Sequence, residues 1–284
     1  MEKEIVFPDG RKISNLGIGT WNLGDSNLKK KEEIKSIRYA LENGVQLIDT
    51  AEMYGNGNSE RLVGEAINGL DREKLYIVSK VLPGNAGRKN IFDSCRNSLK
   101  RLGTEYIDLY LLHWRGMIPL EETVECMEKL KKDGLIKNWG VSNMDIDDME
   151  ELLSIPKGKN CIVNQVLYHL GSKGIEYSLK PYTDRNKIIT MAYCPIAQGG
   201  SLREGLLSSK SVQEISKKYN ISPVQVLLCY ILQKENTVAI PKASRPDHMK
   251  ELIDCRNIIL EKKDIELLEK EYPKPTRKLP LDIE

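Results

Sequence analysis

The sequence predicts an α/β fold, a (β/α)8 TIM barrel, and three observations predict it. Short apolar runs rich in β-branched residues recur along the 284 residues, with starts about 25–30 residues apart. Longer amphipathic stretches of helical period lie between them. Nearly every apolar run closes on a polar residue, and a parallel barrel gathers such strand ends on one face.

Ile5-Val6-Phe7 and Lys12-Ile13 flank the turn Pro8-Asp9-Gly10, which predicts a short N-terminal β-hairpin. Ile13–Thr20 supplies the first barrel strand. The next seven are Leu47–Thr50, Tyr76–Val81, Tyr106–Trp114, Ile136–Asn143, Cys161–Val166, Ile188–Tyr193 and Val238–Pro241. Helical period runs through Lys31–Asn43, where Ile34, Ile37 and Leu41 share a face, and through Leu120–Lys132, where Val124, Met127 and Leu130 do. Gly44, Gly69, Gly103 and Gly134 stand where helices stop, because glycine takes the left-handed turn that ends them. The longer gap between Tyr193 and Val238 holds two helical patterns, Ser208–Tyr219 and Ser222–Lys234, which predict extra helices after strand seven. Glu261–Lys270 predicts another after the eighth βα unit, and residues 271–284 read as a short polar tail with three prolines. No linker divides the chain. Residues 1–284 are therefore expected to form one barrel domain, a fold that typically needs about 250 residues.

Composition narrows the function classes. The 43 Lys and Arg nearly balance the 41 Asp and Glu, leaving a net charge of +2 and no electrostatic case for nucleic acid or an anionic membrane. Six cysteines are scattered without a C-x-x-C pair, several inside apolar runs, which suits reduced core residues. No charged-then-apolar leader opens the chain and no run of about 18 apolar residues occurs, so a cytoplasmic location is expected. No long apolar patch stands out, so a monomer is expected. The three histidines lack zinc spacing, no metal is expected, and no G-x-S-x-G elbow supports a serine hydrolase. Gly17-Ile18-Gly19 runs into Thr20-Trp21-Asn22, so the third glycine of the dinucleotide fingerprint of open doubly wound sheets is missing.

The polar strand ends carry the chemistry. Asp49 closes Leu47-Ile48, Lys80 closes Ile77-Val78-Ser79, and His113 closes Leu109–Leu112. Ser142-Asn143, Gln165, Tyr193 and Lys242 end the later runs. Each alone reads as a strand cap; together, with a lysine and an aspartate that are costly to bury unpaired, they read as one site at one mouth. If Tyr54 joins Asp49, Lys80 and His113 there, the ammonium is expected to lower the phenol's pKa and make it a better general acid. Asp49 can hold Lys80, and His113 can hydrogen-bond a carbonyl oxygen. Such a site protonates an oxygen as it gains negative charge. A hydride arriving at a carbonyl carbon creates that charge, and a bound nicotinamide can deliver it.

From Asp9-Gly10-Arg11 to about Asp254, the chain resembles the aldo-keto reductases. The motifs are Asp49-Thr50-Ala51-Glu52-Met53-Tyr54-Gly55, Lys80, Leu111-Leu112-His113-Trp114, Gly140-Val141-Ser142-Asn143, Asn164-Gln165 and Ala239-Ile240-Pro241-Lys242. The resemblance implies that Tyr54 is the acid/base, tuned by Lys80 and Asp49, with His113 positioning the carbonyl. It implies that Ser142, Asn143 and Gln165 hold the nicotinamide carboxamide, that Tyr193 stacks on the ring, and that Cys194-Pro195-Ile196-Ala197-Gln198 follows the pyrophosphate. Thr20, Trp21, Asp49, Ile240, Ala243 and Ser244 join them as candidate cofactor contacts. In this resemblance Lys242 matches the family's lysine near the 2′-phosphate and Arg245 adds a second cation close by, which implies a 2′-phosphorylated cofactor, NADPH, with NADH a second candidate. The family's usual serine is Cys194 here, its usual arginine is His248, its serine is Ala243, and a later asparagine is Leu252.

Trp21, Met53 and Trp114, beside Tyr54 and His113, are candidate substrate contacts and suggest an apolar aromatic wall for carbonyl substrates. In the family it resembles, the loop after His113 and the tail after Tyr272 close over the substrate; both are short here, so the resemblance implies an open, loosely selective pocket. The alternative function is a cofactor-binding regulatory or sensor subunit with little turnover. A Schiff-base lyase using Lys80 is a further rival, opposed by Asp49, which should keep the lysine charged.

Overall fold

The computed structural model describes residues 3–284; residues 1–2 of the expected domain lie outside the described residues. Strands β1 (Glu4–Val6) and β2 (Lys12–Ser14) pair antiparallel with Glu4 opposite Ser14, which is the expected hairpin. Eight parallel strands follow: β3 (Ile18–Gly19), β4 (Leu47–Asp49), β5 (Tyr76–Val81), β6 (Ile107–Leu112), β7 (Ile136–Ser142), β8 (Cys161–Leu167), β9 (Ile189–Tyr193) and β10 (Thr237–Ala239). Each pairs with its sequence neighbour, and a parallel bridge from Leu16 to Ala239 joins the first to the last. The sheet closes into the predicted barrel.

The expected first strand began too early. Ile13 belongs to the hairpin, and the barrel ladder starts at Asn15, whose carbonyl accepts from the Ala239 N–H at 2.8 Å. Phe7 and Ile13 then plug the end of the barrel opposite the strand C-termini, with Phe7 4.5 Å from Tyr76 between ring centroids. Beneath them Asp108, wholly buried, takes ion pairs from Arg11 and Arg72, each at 2.6 Å.

Helices alternate with the strands: Lys30–Glu42, Asn58–Ile67, Ile91–Leu102, Leu120–Lys132, Ile146–Ser154 and Leu179–Arg185. The four helix-ending glycines all take positive φ, from 65° to 85°. After β9 there are three helices rather than two: Gly200–Ser208, Lys210–Tyr219 and Pro223–Leu232. Ser209, extended at φ −62° and ψ 150°, splits the pattern expected over Ser208–Tyr219. The helix Gly200–Ser208 opens on glycine, a poor helix former, which hides it from a propensity reading. Pro223–Leu232 begins at a reciprocal box in which Gln225 N–H donates to Ser222 Oγ and Ser222 N–H to Gln225 Oε1, 3.2 and 3.1 Å. Pro246–Asp254 follows β10, and Lys262–Glu271 is the helix expected after the eighth unit.

Alternation decides what the barrel interior contains. Leu47, Val78, Leu111, Val163 and Met191 belong to one buried cluster inside it. Two residues further along the same strands stand Asp49, Lys80, His113, Gln165 and Tyr193, so each polar residue points inward on the layer above. Gly17 and Gly19 lack a side chain for a packing reason: a Cβ on Gly17 would lie 2.5 Å from Leu47, and one on Gly19 2.9 Å from the Ile240 carbonyl oxygen. The glycines that failed as a nucleotide fingerprint let strand β3 fit against its neighbours.

Candidate active site

Tyr54 reaches the mouth on a single 3-10 turn, Tyr54–Gly57, that begins five residues beyond the end of β4. The helix after that turn is tied to three strand ends. Ser59 Oγ donates to the Thr20 carbonyl at 3.0 Å and accepts from Thr50 Oγ1 at 3.1 Å. Glu60, wholly buried, accepts from Ser79 Oγ at 2.6 Å and pairs with Arg101 at 2.5 Å. These bonds fix where the turn carrying Tyr54 sits relative to β5.

Lys80 is fully buried and donates to Asp49 Oδ2 at 2.8 Å, the Thr50 carbonyl at 2.9 Å and Tyr54 OH at 3.1 Å. Gln165 Nε2 donates to the other Asp49 oxygen at 2.7 Å. Residues spread from Asp49 to Gln165 therefore form one hydrogen-bonded unit. Burial pulls Asp49's carboxyl pKa up and Lys80's ammonium pKa down, and their attraction to each other opposes both shifts.

The expected acidification of Tyr54 is corrected here. Its pKa is raised well above the ordinary value, first by burial and then by the negative charge of Asp49. Asp49 already balances the ammonium, so little of that charge remains to favour a phenolate. The phenol stays protonated at neutral pH. It can still act as an acid toward an alkoxide, a base of hydroxide-like strength.

His113 packs edge-on to Tyr54 with ring centroids 5.8 Å apart. Burial, and next the charge of Lys80, push its pKa down to about 3, so the imidazole is neutral. His169, buried outside the site, is pushed down to about 4, again chiefly by burial. Unfolded histidines take up protons below about pH 6.5. Stability should thus fall as pH drops from about 6.5 toward 4. Thermal melts between pH 7 and 5 should show this slope, and replacing both histidines by glutamine should flatten it.

A cleft of about 570 Å³ runs from this cluster across the mouth. Trp21, Met53 and Trp114 stand at one end, each about 36–41% exposed. Ser142, Asn143, Gln165 and Tyr193 line the middle. Asn143, at φ 55°, donates to the His113 carbonyl at 3.3 Å and accepts from Tyr193 OH at 2.9 Å. Cys194 (φ 47°) and Ala197 (φ 58°) kink the chain so that Cys194, Pro195, Ile196 and Gln198 follow the cleft. Ile240, Lys242, Ala243, Ser244 and His248 line the far end, with Leu252.

Two expected contacts, Thr20 and Arg245, do not line it, nor does the catalytic candidate Lys80. Thr20 is buried and donates to the Asp49 carbonyl at 2.9 Å, a scaffold role. Lys80 lies beneath Tyr54. Arg245 is turned onto Asp247, which both its Nε, at 3.0 Å, and Nη2 contact. Conversely, Arg203, Glu251 and Glu284 line the cleft without having been singled out. Arg203 sits on the glycine-led helix that no local pattern announced.

The short tail nevertheless reaches the cleft. Past Tyr272 the chain folds back: Lys278 pairs with Asp147 at 3.2 Å, and Ser172 donates to Asp282 at 2.5 Å. The Glu284 N–H then approaches Tyr193 OH at 3.4 Å. Charges separated by more than 100 residues guide that return, and such pairing is invisible in the chain. Among the described residues no group of His, Cys, Asp and Glu could hold a metal ion, and no helix is long and apolar enough to cross a membrane.

An eight-stranded parallel barrel with a buried Lys–Asp pair beneath a tyrosine, beside a neutral histidine, defines a class of carbonyl-reducing barrels. The sequence profile of the Aldo/keto reductase family matches residues 15–272, and the chain belongs to that family. It is similar to the methylglyoxal reductase YeaE of Escherichia coli K12, 46% identical over 282 residues that cover 99% of both chains. It is 34% identical to a glyoxal reductase of Bacillus subtilis, covering 95% of this chain and 92% of that one. An aldo/keto reductase of Klebsiella pneumoniae, crystallised with NADP and acetate, superposes with a TM-score of 0.97 at 42% identity over the whole of both chains.

Proposed function

We propose that this chain reduces aldehydes and ketones to alcohols, reversibly, with NADPH as hydride source and Tyr54 as general acid. Small α-oxoaldehydes such as methylglyoxal are the first substrates to test, given the reductases it resembles. One observation carries the reading: a phenol at 3.1 Å from a buried ammonium, itself held by Asp49, opens onto a cleft of about 570 Å³ that runs on to Lys242 and Ser244. In this reading residues 1–284 work as one barrel domain.

The cleft's donor set fits NADPH. Gln165 uses its amide nitrogen on Asp49, which leaves its carbonyl oxygen without a partner among the described residues and able to accept from a carboxamide. The Tyr193 ring offers a face for stacking. Lys242 has no carboxylate within ion-pair distance among the described residues and suits a phosphate. Superposable structures are crystallised with NADP and NADPH. When bound, reduced nicotinamide supplies the hydride that no side chain can.

The chain's own groups do the rest. His113 and Tyr54 orient the carbonyl oxygen, as neutral donors that do not stabilise a competing anion. As that oxygen becomes alkoxide, Tyr54 hands over its proton, and the phenolate left behind keeps the hydrogen bond that Lys80 donates to its oxygen. Trp21, Met53 and Trp114 would contact the substrate's remainder.

Steady-state reduction of methylglyoxal and of aldehydes of graded size, followed by NADPH consumption, tests the reading. NADPH binding with negligible turnover would favour the sensor alternative instead. Lys242→Ala should weaken NADPH about tenfold or more, as loss of a charge-assisted phosphate contact does, and spare NADH. Equal losses for the two cofactors would refute the phosphate assignment.

A further inference from the structure

Arg101 stands on the last turn of the helix Ile91–Leu102, outside the barrel and away from the cleft, yet it leans on the supports of both Tyr54 and Lys80. Its Nε donates to Glu60 at 2.5 Å and its Nη2 to Ser98 Oγ at 3.2 Å. Glu60 accepts from Ser79 Oγ at 2.6 Å through its other oxygen. Ser79 and Lys80 are consecutive on β5, so alternation sends Ser79 outward to this carboxylate and Lys80 inward to Tyr54. The Arg101 side chain also packs on Gly57, the last residue of the turn that carries Tyr54. A Cβ on Gly57 would lie 2.5 Å from Arg101 Cδ and 2.6 Å from its Nε. Further along the same helix, a Cβ on Gly64 would lie 2.7 Å from the Arg101 carbonyl oxygen, so the two helices meet backbone to backbone.

We infer that Arg101 is a positioning residue for carbonyl reduction: from outside the barrel it fixes the turn carrying Tyr54 against the strand carrying Lys80, and so sets their separation. The inference rests on the proposed role of Tyr54 as general acid. Lys80 is placed by β5, but Tyr54 rides on a turn in which Gly55, Asn56 and Gly57 are all left-handed, at φ 54°, 52° and 83°. Such a turn takes its position from what it rests on. Ser59 ties the start of the following helix to Thr20 and Thr50, beyond β3 and β4. The Glu60–Arg101 arm ties it to β5. A guanidinium suits that place because its planar fork is rigid, whereas a lysine would bring only a flexible point charge. Arg101 does not line the cleft, so it reaches the reaction only through Tyr54 and Lys80.

Single-turnover reduction of methylglyoxal by Arg101→Ala, with NADPH bound in advance, reads this directly. The rate should fall about 100-fold, as a displacement of about 1 Å at the reacting groups does. The NADPH dissociation constant, followed by fluorescence, should keep its parent value. The ratio of rates in water and heavy water should rise, because the slowed step is the one in which Tyr54 gives up its proton. A barrel that was merely loosened would lose rate in proportion to its folded fraction, with that ratio unchanged. Arg101 borders a surface groove and its side chain is 19% exposed, so a guanidinium salt can enter the space that alanine leaves. At concentrations far below denaturation it should restore much of the rate. Arg101→Lys keeps a charge beside Glu60 and should fold, yet it should also lose rate, with the same rise in the solvent isotope ratio.

Parent-like rates in both Arg101 variants would overturn the inference. So would a slowed reaction with an unchanged solvent isotope ratio, or an Arg101→Ala rate that guanidinium leaves low. If Arg101→Ala does not fold, the rate and isotope ratio of Arg101→Lys decide the matter alone. Tyr54→Phe turning over at the parent rate would instead overturn the general-acid reading itself, so the two failures are distinguishable.

Discussion

Tyr54→Phe should lower kcat for carbonyl reduction by about 10²–10⁴, the usual contribution of a positioned general acid. NADPH affinity should be little changed, because the variant keeps the ring and loses only the hydroxyl. The phenol of the parent is held protonated by burial and by Asp49. The reduction rate of the parent should therefore lack a neutral-range limb from Tyr54, and none should come from His113, which is neutral above about pH 3. Single-turnover reduction of methylglyoxal with fluorescence-monitored NADPH binding separates the two effects. A Tyr54→Phe enzyme that turns over as fast as its parent would remove Tyr54 from the mechanism.

Lys80→Met should both abolish most activity and destabilise the chain. Lys80 and Asp49 are essentially without solvent contact, and removing one partner leaves an uncompensated buried charge, which costs about 3–5 kcal/mol. Adding Asp49→Leu should recover much of that stability, since an apolar pair of similar volume is tolerated, yet it should not recover turnover. Urea denaturation and steady-state kinetics on both variants provide the check. If the double variant regained activity, the ammonium at 3.1 Å from Tyr54 would have no chemical part. If Lys80→Met matched the parent in stability, the pair would not be charged in the folded chain.

Particular residues show how far local pattern reaches. Tyr76–Val81 and Leu120–Lys132 occur at their expected bounds, because continuous β-branched runs and a clean helical stripe each point to one state. Ile13 was assigned to the barrel as well as to the hairpin, since alternation alone does not say which strand it pairs with. Gly200–Ser208 went unseen because its stability comes from tertiary packing through Leu206, not from propensity. In the site, Asp49, Tyr54, Lys80 and His113 were legible, and the structure brings them together. Arg203 and Glu284 were not, because neither ends a strand or belongs to a motif.

The amino-acid order alone determined the eight βα units and the polar layer at their C-terminal ends. Period-two alternation carries each apolar lumen residue into a polar one two positions later, and that follows from backbone geometry. Only tertiary structure decided the electrostatics: that Asp49 neutralises Lys80 and the phenol's pKa rises, that Arg245 turns to Asp247, and that the segment past Tyr272 returns across the mouth. Desolvation and charge pairing depend on which distant groups share a small volume, and no stretch of chain carries that information by itself.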